Sequence, residues 1–400
     1  MSRQRLTAAV LVALAVAAER APGAVSQEAP ASLLVFPLVR VDASAGLDTQ
    51  IQLANLGDTA QSLRCVYAPA DLDTAARRGF HLRLAAGQPV AWLASIGSAE
   101  QPDGIGEIPA LPAVGFTGVL RCAATLDDGS TPSRADVLTG NAVLLRRGDA
   151  PDAASYPAVG FAGTGASADT AEVLVLGGPM AEYDACPAEV GLQPLLDATP
   201  LGLGADGALQ LESATTIAIA TCSSTPIGGA QASVNISVTN EFAQTFSTAR
   251  SVRELLVSPL SRLDTSVPRN SIFYGPTSGS PSGSLRVSGG SSGVLALALT
   301  AYVDPDAPTA PAHEALVHVQ PLGTRELPDL VDLSVPTPAP SCTGDCNGDG
   351  EVTINELISG VNIALGSAPL SQCPAFDPSG DGSVAINELI AAVGAALEGC

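Results

Sequence analysis

No lysine occurs anywhere in this 400-residue chain, so all eighteen basic residues are arginine. That absence rules out a P-loop lysine, a Schiff-base mechanism and a Ser-Lys dyad. Histidine appears three times and no two cysteines form a CxxC pair, which removes the common ligand sets for zinc. Aromatic residues are 4% of the chain, with one tryptophan, Trp92. Sugar-binding clefts stack their ligands on aromatic faces, and this composition offers few. Basic charge is also scarce. Eighteen bases against 40 acids give −22, and residues 1–26, with three arginines and one glutamate, carry +2, leaving −24 on the remainder. Nucleic acid and anionic membrane are poor partners for such a surface. Past the N-terminus no apolar run reaches the roughly 18 residues of a membrane span.

At the N-terminus, Arg3 and Arg5 precede an apolar run from Leu6 to Ala18, and Ala24-Val25-Ser26 supplies a small-x-small cleavage site. Residues 1–26 thus read as a secretory signal peptide, which places the mature chain outside the cytoplasm as a secreted protein. Eight cysteines suit that compartment. Sequence position pairs Cys65 with Cys122 and Cys186 with Cys222. Cys342, Cys346, Cys373 and Cys400 remain for the C-terminal segment, where three connectivities stay open.

Between these ends run short alternating or apolar segments broken by Gly, Pro, Asp and Ser, such as Asp48-Thr-Gln-Ile-Gln-Leu-Ala-Asn55, Ala232-Ser-Val-Asn-Ile-Ser-Val-Thr239 and Gly293-Val-Leu-Ala-Leu-Ala-Leu-Thr-Ala-Tyr-Val303. Period-two alternation predicts strands with Ile51, Leu53, Val234 and Ile236 facing inward. The expected fold class is mainly β: two β-sandwich-like domains, residues 27–168 and 169–330, divided by the turn-rich stretch 163–169. A proline-spaced linker, 331–341, leads to a small helical module at 342–400.

Three motif look-alikes carry no chemistry. Gly202-Leu-Gly204-Ala-Asp-Gly207 is followed by strand-like alternation where a dinucleotide fold needs a helix. Gly289-Gly-Ser291-Ser-Gly293 spells a nucleophile elbow but reads as a hairpin between strands. His313 and His318 are five apart, so they leave the common helical face that a zincin pair requires, and their surroundings read as a strand. With no paired carboxylates evident, no catalytic residue is assigned. A noncatalytic structural or interaction protein is the first reading; an exported hydrolase acting in polysaccharide catabolism is the second.

The specific chemistry lies in the tail, where one sentence is written twice: Asp345-Cys-Asn347-Gly-Asp349-Gly350-x5-Glu356 and Asp377-Pro-Ser379-Gly-Asp381-Gly382-x5-Glu388. Each loop places side-chain oxygens at positions 1, 3, 5 and 12, with glycine at position 6 for the sharp bend, as an EF-hand requires for a hard cation with about 6–8 oxygen ligands. Position 7 gives a backbone carbonyl, from Glu351 or Ser383. Position 9 commonly acts through water, which Thr353 can assist and Ala385 cannot. Two Ca²⁺ ions are the expected cofactors, and a bidentate glutamate at position 12 favours calcium over magnesium.

Val352, Ile354, Leu357, Ile358, Val361 and Leu365 recur at an offset of 32 as Val384, Ile386, Leu389, Ile390, Val393 and Leu397. This spacing predicts one apolar helical face after each loop, with Val352 and Val384 pairing the loops through a short strand bridge. No helix precedes either loop. A calcium loop with only its exiting helix, duplicated, resembles the type I dockerin module over residues 342–400. The resemblance implies two bound calcium ions, folding around them, and docking to a cohesin-like or cell-surface partner. The family's loops commonly end in aspartate where this chain has Glu356 and Glu388, and its helices carry basic residues where residues 342–400 have eight acids and no base. The middle region, through Asp48–Asn55 and Leu174–Cys186, is similar to uncharacterised secreted bacterial β-rich proteins, which imply no activity.

Overall fold

The computed structural model describes residues 29–70, 77–98, 106–112, 115–127, 129, 131–147, 152–164, 172–202, 210–224, 231–264, 282–303, 313–317, 319–334, 342–346, 351–377 and 382–398. The expected signal peptide, most of the 163–169 divide and residues 335–341 of the expected linker lie outside them. The chain forms two compact units, one reaching Leu333 and the other starting at Ser334.

Among the described residues, four large sheets build the first unit. One has the order β4 (Arg78–Leu84), β3 (Gln61–Pro69), β6 (Phe116–Thr125), β1 (Leu33–Val41), β9 (Val159–Phe161); a second runs β5 (Pro89–Leu93), β2 (Leu47–Asn55), β7 (Leu138–Arg146), β8 (Asp152–Pro157). A third has β15 (Thr245–Val252), β14 (Ala232–Asn240), β17 (Gly283–Gly289), β11 (Pro187–Leu192), β20 (Val319–Thr324). The fourth is β12 (Pro200–Gly202), β13 (Gln210–Thr221), β18 (Val294–Val303), β19 (His313–Val317), with β16 (Leu255–Pro259) also on β13. β10 (Val173–Leu176) and β21 (Asp329–Asp332) form a separate antiparallel ribbon.

Strand chemistry follows burial. β14 alternates, and Val234 and Ile236 point inward, as do Ile51 and Leu53 in β2. β1 and β18 are covered on both faces and read as near-continuous apolar runs. The β1–β6 register shifts between Phe36 and Val39, where Pro37 has no N–H to give the ladder. The Tyr156 hydroxyl serves the displaced backbone: it accepts from Leu38 N at 3.3 Å and donates to Leu38 O.

The expectation of two sandwiches is corrected. The four sheets are arranged like the blades of a four-bladed propeller, within one unit. Alternation identifies strands but not which of them share a core, and here the two halves are fused by buried charge. Arg121 of β6 meets Glu254 at 2.7 Å, and Arg77 meets the same carboxylate at 3.0 Å and Asp332 of β21 at 3.0 Å. Arg121 also donates to Thr221 O of β13 at 3.2 Å. A bridge between Gly163 and Tyr183 spans the expected divide. Disulfides Cys65–Cys122 and Cys186–Cys222 form as expected. The Gly289–Gly293 run joins β17 to β18, which lie in different sheets, so it is a crossover turn and not a hairpin. Residues 203–209, most of the dinucleotide look-alike, lie outside the described residues, and His313 begins β19 as a strand residue.

The second unit contains α1 (Ile354–Ala364) and α2 (Ile386–Glu398). Its core is Ile363, Cys373, Phe376 and Ala392, with Leu357, Leu370, Val384 and Leu389 packed around them. Phe376 is fully buried. A Cβ on Gly360 would come within 2.3 Å of its ring, so α1 approaches the ring with bare backbone.

Candidate metal centre

Thr353 sets the first loop's exit. Its extended backbone makes it the N-cap of α1, and with Glu356 it forms a capping box. The Glu356 Oε2 atom accepts from Thr353 N at 2.7 Å and from Thr353 Oγ1 at 2.8 Å, while Oε1 accepts from Cys346 N at 2.9 Å. The second repeat reproduces the core of this arrangement: Glu388 Oε2 accepts from Ala385 N at 2.8 Å. In both loops the position-12 carboxylate is thus held by the position-9 amide. Asp377 Oδ2 accepts from Gly382 N at 2.8 Å, and Gly382 has φ +85°, a left-handed bend that explains glycine at position 6. Gly344 N donates to Ala375 O at 3.1 Å, joining the start of one loop to the residues before the other.

Of the expected ligands, Asp345, Glu351, Thr353, Glu356, Asp377, Ser383 and Glu388 are described; Asn347, Asp349, Ser379 and Asp381 lie outside the described residues. Among the described residues no three acidic, histidine or cysteine side chains converge as a complete ligand cluster. Asp345, Glu356 and Glu388 are nonetheless 9%, 8% and 3% exposed. Their carboxylate oxygens are hard donors of the class that a divalent ion such as calcium takes. Residues 342–400 contain no Lys, Arg or His. The donor set therefore fits calcium.

The helical faces differ from expectation. Val352 is buried and Leu357 packs on the core, but Ile354, Ile358, Val361 and Leu365 are all exposed. Ile386, Ile390, Val393 and Leu397 repeat that outward stripe on α2. The expected strand bridge between Val352 and Val384 does not form; neither residue lies in a strand or bridge. Sequence reasoning missed the split because it merged both sides of the helix into one face. Periodicity held no sign of it: from Ile354 to Leu365 the apolar positions fall within about 100° of arc, the width of one ordinary apolar stripe. It also missed the Cys346 amide, whose contact with Glu356 depends on loop geometry. The Thr353-x-x-Glu356 capping box, by contrast, is legible as a motif.

The Cys346–Cys373 disulfide crosses this unit, and Cys342 is disulfide-bonded as well. Among the described residues, no helix is long and apolar enough to cross a membrane. A concavity on the first unit is lined by Gln52, Pro89, Ala91, Thr139 and Asn141 with small apolar neighbours, and it presents no acid, base or thiol. No protein-family model and no curated protein matches the chain.

Proposed function

We propose that this is an exported, noncatalytic protein whose C-terminal unit is a dockerin-like module that binds two calcium ions and docks to a partner protein. The observation that carries the reading is the repeat of two features together. Each half pairs a buried position-12 glutamate, Glu356 or Glu388, with an outward stripe of four large aliphatic residues. Calcium would be held by Asp345, Asn347, Asp349, Glu356 and the Glu351 carbonyl in one loop, and by Asp377, Ser379, Asp381, Glu388 and the Ser383 carbonyl in the other, with Thr353 assisting a water. Bound metal neutralises the loops and fixes the helices that carry the stripes. The stripes are the docking face, since contiguous exposed aliphatic surface marks interaction sites. Disulfides support an extracellular setting.

The test is binding of the full chain to an immobilised cohesin domain, with and without EGTA, beside the variant Ile358→Glu/Ile390→Glu. The reading expects calcium-dependent capture that the variant loses while keeping its calcium stoichiometry. Capture that survives both EGTA and the variant would contradict the assigned face, and an absence of capture in saturating calcium would contradict a cohesin-type partner.

A further inference from the structure

We infer that the Cys346–Cys373 disulfide is a working part of the calcium module: it raises metal affinity, and bound metal in turn protects it from reduction. The inference rests on the calcium reading above. Cys346 occupies position 2 of the first loop, between Asp345 and Asn347. Its sulfur is bonded to Cys373, which is fully buried in the core beside Phe376 and stands just before Asp377, the first position of the second loop. One covalent bond therefore ties the first loop to the entrance of the second.

The same residue reaches the ligand itself. Cys346 N donates to Glu356 Oε1 at 2.9 Å, while Thr353 holds Oε2 at 2.7 and 2.8 Å. Both oxygens that a bidentate ligand offers are thus aimed by backbone and hydroxyl donors, and one of those donors is anchored by the cross-link. A segment with eight acids and no base repels itself before metal arrives, so its metal-free chain is expanded and loses the most freedom to a cross-link. Closing a loop across 27 residues removes disorder from the metal-free, unfolded chain. Because binding is coupled to folding, that gain appears in the apparent calcium affinity. Thermodynamic linkage makes the coupling reciprocal.

Reduction by a dithiol transfers two electrons and two protons to the bond, leaving Cys346 and Cys373 as thiols and the reductant as a disulfide. In the full chain, Cys346→Ser/Cys373→Ser should bind calcium on the order of 10- to 100-fold more weakly than the unaltered protein by calorimetry. In the unaltered protein, dithiothreitol followed by alkylation and peptide mass spectrometry should label Cys346 and Cys373 much more slowly in calcium than in EGTA. Cys65 and Cys122, in the other unit, should label equally in both. Calcium affinities within twofold of each other, or labelling of Cys346 and Cys373 that ignores calcium, would overturn the inference. The labelling arm needs no variant to fold. If the unaltered protein takes up no calcium, the calcium reading itself fails, a result distinct from equal affinities.

Discussion

Arg121 Nη2 lies 2.7 Å from Glu254 Oε2, with the two side chains 1% and 0% exposed. Arg77 completes the group from the other side of the carboxylate, so one glutamate balances guanidinium groups drawn from distant parts of the chain. Removing its charge withdraws the carboxylate from buried Arg121 and leaves Arg77 its pair with Asp332. Glu254→Gln is expected to cost about 3–5 kcal/mol, read as a lowered urea midpoint. Because this cluster fuses the halves, the unit ending at Leu333 should unfold in one transition, and two well-separated transitions in the unaltered protein would contradict the fused architecture.

Alkali should find a second weakness. Burial pushes the hydroxyls of Tyr67, Tyr156 and Tyr183 well above the ordinary tyrosine range; neighbouring Asp48 adds to the shift at Tyr67 and Glu182 at Tyr183. A folded value above the unfolded one, about 10, gives stability that is complete below that pH and is lost as pH rises past it. At most two of the five tyrosines should therefore ionise before unfolding, with the remaining tyrosinate absorbance appearing together with loss of the β circular dichroism signal. Ionisation of all five in a still-folded protein would refute the assignment.

Phe376 governs the small unit. Replacing it with alanine empties the contact with Gly344 and Gly360 and should cost about 3–5 kcal/mol. Gly360→Ala instead forces a methyl into the ring and should cost about 1–3 kcal/mol. Both should lower the melting temperature of the metal-loaded unit and weaken calcium binding together, since folding and metal share one free energy. Unchanged calcium affinity in Phe376→Ala would separate the core from the loops and count against that coupling.

Much of this was legible from the sequence, for identifiable reasons. Ile51, Leu53, Val234 and Ile236 face inward because period-two alternation is a local property of a half-buried strand. The Cys65–Cys122 and Cys186–Cys222 bonds followed chain order. The sheet arrangement did not follow, because the Arg77–Glu254–Arg121 contacts join residues that no local pattern relates. The helix faces were half legible: Ile354 and Leu357 are both apolar, and it is tertiary packing that seats Leu357 on the core and leaves Ile354 exposed. A sharp bend at Gly382 was expected from the loop grammar, and its φ of +85° supplies one.

Calorimetric titration of the metal-stripped full chain with CaCl₂, followed by EGTA under circular dichroism, reaches the central claim most directly. The prediction is uptake of two ions per chain and a loss of helical signal on chelation. An absence of binding heat, with a spectrum indifferent to EGTA, would contradict it.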